Sequence, residues 1–275
     1  MNGRPELNGT VKTVGASVIE HYSSQQAQSF GEDPSLYDRF RPSYPRELME
    51  SVVAETADLP ALEIGAGTGK ATRALLALGK AVHALEPDRR MASVLEVNCA
   101  DSAISVEYAT LETASLPPSS YDLAVAAQSW HWVDPDIGYD LVGDALVEGG
   151  VLALIWHHPS HHQGMFGAAL THLYRRLAPS IAIPFPGSKA SDYDPTTEPF
   201  SATKRFRTWS RVEHRWQRRL DAAGLIGWLC SSSEHRLLEL EERAELMTGV
   251  AALIAEFDHE VSINMTTVAH LAYRV

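Results

Sequence analysis

At 275 residues and 45% hydrophobic content, the chain is long enough for one large α/β domain, or a domain with an appended lid, and too apolar for general disorder. A formal net charge of −12 argues against a nucleic-acid scaffold, because affinity for a phosphate backbone comes from clustered Lys and Arg. The 2 cysteines, Cys99 and Cys230, are too far apart for a CxxC site and too few for a disulfide framework, so buried reduced thiols are expected. No secretory pattern and no bilayer-length apolar run is visible, and a cytoplasmic protein away from membranes is the expectation.

Taken in chain order, residues 1–20 are polar and aperiodic, which predicts a flexible tail or a weak helix. Ser29–Pro45 reads SFGEDPSLYDRFRPSYP, and its interleaved aromatics, Arg and Pro predict an ordered segment lying on another surface. Arg46–Ala57 reads as a helix with Pro45 near its first turn. Ala61–Ile64 is a short apolar run stopped by GAGTG, a strand followed by a glycine-rich turn. A helix is predicted over Ala71–Leu78, a strand over Ala81–Leu85 closed by Glu86-Pro87-Asp88, and a helix over Arg89–Cys99. Strands follow at Ile104–Ala109 and, past the turn signal PPSS, at Tyr121–Ala127. A helix over Asp136–Val147 ends at Gly149-Gly150, and Val151–Trp156 is the fifth strand. Strands alternating with helices at this spacing imply βαβ units and a parallel sheet. Past His157 the pattern loosens into a helix at Met165–Leu177, a long loop or lid at Ala178–Phe200, one helix or two over Leu237–Phe257, and a closing strand or strand pair at Val261–Val275. Residues 1–45 are thus expected as tail and cap and residues 46–275 as the main domain, with 160–235 a lid insertion.

The chemistry concentrates in Leu62-Glu63-Ile64-Gly65-Ala66-Gly67-Thr68-Gly69. Glycines after a strand allow a tight turn and close approach of a ligand. The spacing is GxGxG, and Lys70 stands where the dinucleotide fingerprint has its third glycine. Glu63, just before the loop, would repel a pyrophosphate but suits a cationic ammonium group. Glu86 ends the second strand about 20 residues on, the place of a carboxylate that accepts from ribose hydroxyls. Gln128 lies just past the fourth strand, at the mouth where open α/β sheets bind ligands.

At these residues the chain resembles the class I S-adenosylmethionine (SAM)-dependent methyltransferases, and within them the methyltransferase type 11 and trans-aconitate methyltransferase-like group. ALEIGAGTGKAT and ALEPD resemble that family's first two motifs, AVAAQSWHWVD its fourth-strand motif, and YDRFRPSYP its N-terminal cap. The resemblance is strong over roughly residues 30–158. It implies a Rossmann-like α/β fold, with a mostly parallel seven-stranded sheet, helices on both faces, and an N-terminal cap plus C-terminal insertion covering the cleft. It implies SAM as cofactor, with S-adenosylhomocysteine as product. Glu63, Gly65, Ala66, Gly67 and Gly69 would line its methionine half, Glu86 would hold the ribose, and Pro87 and Met91 would lie near the adenine. Thr110-Leu111-Glu112 matches the segment at the adenine edge, although Ala109 and Thr110 stand where many relatives have Asp or Gly. Tyr37, Arg41 and Tyr44 would fold over the cleft. Arg41 either pairs with the cofactor carboxylate or forms an ordinary ion pair.

The implied activity is methyl transfer to a small molecule in secondary or specialised metabolism, the methylated atom being O, N or C. Where the acceptor carries a proton a general base helps, and His131 is the first candidate, with a structural role as its alternative. Trp130 and Trp132 flank it, one as a wall of the acceptor pocket and the other as core, and Trp130 is placed with Tyr44 and His131 at the acceptor. His157-His158-Pro159-Ser160-His161-His162 is read as placing His157 or His158 beside the acceptor, with no metal. Lys204–Arg219 carries seven basic residues and reads as a solvated face paired with acids such as Glu239, Glu241 and Glu242. Two other readings stay open: a Rossmann-type nucleotide-cofactor protein with redox or regulatory work, and a SAM-binding module without catalysis.

Overall fold

The computed structural model describes residues 32–160, 164–181, 185 and 203–275. The expectations for the tail, for most of the Ala178–Phe200 loop, and for His161 and His162 lie outside the described residues.

Seven strands form one sheet: β1 (Ala61–Ile64), β2 (Val82–Leu85), β3 (Ile104–Glu107), β4 (Tyr121–Ala127), β5 (Leu146–Pro159), β6 (Phe206–Asp221) and β7 (Glu260–Arg274). Their order is β3-β2-β1-β4-β5-β7-β6. β1 through β5 pair in parallel, and β7 runs antiparallel between β5 and β6. β1 and all but the last residue of β4 are buried, as expected of parallel strands covered on both faces. Along β5, Leu152, Leu154 and Trp156 pack into one core with Leu62, Leu85 and Tyr139. Val151, Ala153 and Ile155 alternate into the other, with Leu48, Leu75 and Leu95.

Nine α-helices clothe the sheet among the described residues: α1 (Pro34–Phe40), α2 (Arg46–Val53), α3 (Lys70–Leu76), α4 (Arg89–Asn98), α5 (Gly138–Ala145), α6 (Gly164–Leu177), α7 (Ala222–Cys230), α8 (Ser233–Arg236) and α9 (Leu240–Ala255). α1 begins on the side chain of Asp33, which accepts from Leu36 N at 2.9 Å. α4 begins the same way on Asp88, which accepts from Arg90 N at 2.8 Å. A third core joins α6, α7 and α9 to Leu220, Val261, Ile263 and Met265, where the long strands β6 and β7 run past the rest of the sheet. Phe40 of α1 packs against it, so the cap is fastened to the C-terminal part of the chain.

Two expectations change. The fifth strand starts at Leu146 rather than Val151, because Leu146 pairs with Tyr121 before a register shift that brings Val151 opposite Leu123. Gly149, at φ +75°, takes up the extra residues. The basic run is the edge strand β6 and not part of a lid. Its described side chains alternate, with Arg207, Arg211, Glu213, Arg215, Gln217 and Arg219 exposed and the intervening residues partly covered. Arg205 pairs with Asp140 and Asp144, Arg211 and Arg215 with Glu213, and Arg219 with Glu260, and none of these four with the acids of α9.

Candidate functional site

A cavity of about 870 Å³ opens at the carboxyl ends of β1, β2 and β4. A chamber of about 40 Å³ adjoins it. Tyr37, Arg41, Gly65, Gly67, Ala127 and Gln128 line both.

The glycine turn builds the floor. Gly65 takes φ +68°, and a Cβ there would come within 2.7 Å of Ser129 Cβ. Ser129 in turn donates to the Ile64 carbonyl. The β1 turn and the β4 end are therefore in direct contact, and only glycine allows it. Gly69 does something else: it lines neither space. At φ +84° it leads into α3, and a Cβ would meet Leu95 Cδ1 at 2.5 Å. Sequence placed it on the cofactor; the fold uses it for helix packing.

Glu86 ends β2 with one carboxylate oxygen accepting from Gly67 N at 2.7 Å and the other from Asp88 N at 2.9 Å. It thereby ties the glycine turn to the neighbouring strand. Burial raises its pKa to about 6, against those two stabilising hydrogen bonds. Pro87, Met91, Thr110, Leu111 and Glu112 line the same side of the large cavity. Glu112 accepts from Asp134 N at 2.8 Å, which fixes the strand-connecting loop beside it.

Glu63 and Ala66 line the small chamber. Glu63 is buried, accepts from Thr72 Oγ1 at 2.6 Å, and is pushed by burial to about 8. In the empty protein it is therefore protonated at neutral pH. Lys70 lines the same chamber, and burial lowers it to about 8 despite Asp38 at 3.9 Å. The sequence showed Lys70 only as a departure from the dinucleotide spacing. Arg41 stands over the Tyr37 ring at 5.2 Å and donates to the Ser231 carbonyl at 3.2 Å. Gln128 adopts φ +62°, an uncommon conformation for a residue with a side chain, while its N–H bonds the Ile155 carbonyl at 2.9 Å. Backbone strain of this kind gathers at ligand sites.

The far wall of the large cavity holds His131, Trp132, Val133, Phe185 and the run Ser232-Ser233-Glu234. A short 3₁₀ turn, Trp130–Trp132, carries the histidine. His131 lies 4.7 Å from Trp132 and 5.4 Å from Trp156 between ring centroids. Burial drops its pKa to about 4. Of the flanking tryptophans, Trp132 is the wall. Trp130, expected to face the acceptor, is instead core: it is buried and donates Nε1–H to Tyr139 Oη at 2.8 Å. Tyr44 lines the small chamber, not the far wall, and stacks on His157 at 4.7 Å. His157 lines that chamber too, whereas His158 lines neither space, since successive residues of β5 face opposite ways. No motif announced Ser232, Ser233 or Glu234; they reach the cavity because α7 and α8 fold back over it. Among the described residues, no group of three or more His, Cys, Asp and Glu is arranged to hold a metal.

Residues 62–154 match the family model described as a methyltransferase domain. An uncharacterized methyltransferase of Mycobacterium tuberculosis is 30% identical over 227 residues, covering 82% of this chain and 86% of the relative. A methyltransferase candidate of Dictyostelium discoideum is 35% identical over 134 residues, 47% of this chain and 48% of its own length. In fold, the chain is similar to a solved structure of a type II methyltransferase candidate from Anaeromyxobacter dehalogenans, with a TM-score of 0.62 at 22% identity, covering 84% of this chain and 97% of that one.

Proposed function

Because the chain belongs to the class I SAM-dependent methyltransferases, we propose that it transfers the methyl group of SAM to a small-molecule acceptor bound against His131 and Trp132. One observation carries the reading. A cavity of about 870 Å³ has the buried Glu86 carboxylate at its glycine-turn end and an aromatic wall at the other, with buried Glu63 in the chamber that adjoins it, room for a cofactor and an acceptor side by side.

The residues fit SAM. Glu63 supplies an anion for an ammonium group, Arg41 and Lys70 supply cations for a carboxylate, and Glu86 keeps acceptor capacity for ribose hydroxyls. The cofactor brings a sulfonium leaving group, so the protein's main task is to align the acceptor. The walls do this by shape and by exclusion of water. His131, held near 4 by burial, is a neutral imidazole at pH 7. It can accept a hydrogen bond from an acceptor O–H or N–H and orient it. As a proton sink it is weak, which favours acceptors that need no strong base, such as a carboxylate or an unprotonated nitrogen.

Calorimetric titration with S-adenosylhomocysteine and with NAD(H), on the natural chain and on Glu86→Ala, tests the reading. Micromolar binding of S-adenosylhomocysteine, weakened by the substitution, with none for NAD(H), is expected. Binding of NAD(H) instead, or of neither, overturns it in favour of a redox or non-catalytic protein. Turnover with labelled SAM across an acceptor panel then separates an enzyme from a binding module.

A further inference from the structure

His157 sits near the carboxyl end of β5 with its ring between Tyr44, stacked at 4.7 Å, and Trp216, edge-on at 6.1 Å. Its Nδ1 lies 2.8 Å from Thr267 Oγ1. The same oxygen accepts from Trp216 Nε1 at 2.9 Å. These contacts fix where the imidazole proton resides. An indole N–H only donates, and a hydroxyl has one proton to give. Thr267 is fully buried, so its proton needs an acceptor. Of the two groups bonded to its hydroxyl, only His157 Nδ1 can accept. Nδ1 therefore carries the lone pair and Nε2 carries the hydrogen. Nε2 is itself buried and has no hydrogen-bond partner among the described residues. With Nδ1 committed to Thr267, Nε2 is the polar edge left for the chamber that His157 lines.

We propose that His157 Nε2–H is a fixed, neutral hydrogen-bond donor to the carboxylate of the cofactor's amino-acid group, an assignment that rests on the methyltransferase function above. The chamber suits that occupant. A space of about 40 Å³ admits a group of a few heavy atoms and not a whole acceptor. Glu63 stands among its walls, and so do Arg41 and Lys70, which together match both ends of a zwitterion. The groups acting on the ring, His158, Arg41, Arg218 and Lys70, all oppose its protonation, and with burial they hold it near 3. The ring thus donates without adding a like charge to that cationic cluster. This replaces the sequence-based idea of His157 as a group acting on the acceptor. Trp216 and Thr267 become positioning residues, acting through His157.

The test uses the full chain, S-adenosylhomocysteine, and its decarboxylated analogue, which keeps the thioether and the amine. His157→Leu is expected to weaken S-adenosylhomocysteine by about tenfold or more, the worth of one hydrogen bond to a charged group, and to leave the analogue within about twofold. His157→Gln, which returns an N–H at similar reach, recovers most of the loss. Thr267→Val gives a smaller loss of about threefold, again confined to the carboxylate-bearing ligand. Independently of any variant, ¹⁵N spectra of the natural protein should show a protonated Nε2 and a bare Nδ1 for His157 at pH 7. A protonated Nδ1, or equal weakening of both ligands by His157→Leu, overturns the assignment and leaves the methyltransferase function standing. Failure of the natural chain to bind S-adenosylhomocysteine overturns that function and the assignment with it.

Discussion

The two halves of the sheet build the site by different means. On one side β1, β2 and β3 have four residues each and β4 seven, the first three joined by local helices and β3 to β4 by a loop, and the ligand-facing groups come from the turns that follow them. On the other side β5, β6 and β7 run 14, 16 and 15 residues and pair antiparallel over long sequence separations. There the groups that matter stand within the strands: His157 opposite Thr267, with Trp216 two residues along β6 from the position that faces Thr267. The first half makes its contacts with backbone turns and strand-end carboxylates. The second holds a side chain in one protonation state through neighbours more than 50 residues distant, His157 and Thr267 being 110 apart.

The comparison can be broken most forcefully at the Lys80–Asp122 pair, which fastens the loop before β1 to the start of β4. Lys80 Nζ meets both oxygens of Asp122, at 2.8 and 2.9 Å, and the carbonyls of Ala57 and Leu59, both at 2.8 Å. Asp122→Ala strands a buried ammonium and is expected to cost about 3–5 kcal/mol in urea unfolding. A loss below about 1 kcal/mol would mean that the turn-built half is not held by this pair.

A smaller effect tests Glu86. Its ionised form is the one that accepts from ligand hydroxyls, and its pKa of about 6 lies above the ordinary carboxylate value. In a Glu63→Gln background, which removes the titration of Glu63, affinity for S-adenosylhomocysteine should be level near pH 7, fall as pH drops through about 6, and lie about tenfold lower at pH 5. A flat profile, or one that rises toward acid, would remove Glu86 from the ribose.

Glu63 gives a subtler readout. Near 8 in the empty protein, it is protonated at pH 7, and an arriving ammonium group should ionise it. Binding at pH 7 should then release up to about one proton, measured as a dependence of the observed heat on the buffer's ionisation enthalpy. Glu63→Gln should abolish the release; a release that survives the substitution comes from elsewhere.

The smallest effect is expected on the outer edge. Arg219 and Glu260 meet at 2.5 Å but are 74% and 43% exposed, so Arg219→Ala should change stability by less than about 1 kcal/mol and leave cofactor affinity alone. A larger loss would mean that β6 is held at its rim rather than through its inner face.

The sequence by itself determined the first half. Short apolar runs alternating with helical stretches announced β1 through β4, and their boundaries moved by only one or two residues, since strand, turn and helix there are written in consecutive residues. Glu63, Gly65, Gly67 and Glu86 were legible for the same reason: a glycine that must turn and a carboxylate at a strand end keep a fixed spacing. The tertiary structure decided what depends on partners far along the chain. The run Lys204–Arg219 reads by its charge as a solvated face, and only its pairing with β7 makes it a strand with an inner and an outer face. Trp130 and Trp132 are neighbours in sequence, and the turn they share sends one to the core and the other to the cavity. Ser232, Ser233 and Glu234 enter the wall through the packing of α7 and α8. His157 carried no mark of its protonation state, because a buried imidazole takes its tautomer from whatever hydroxyl it meets, and Thr267 reaches it only when β7 is laid against β5.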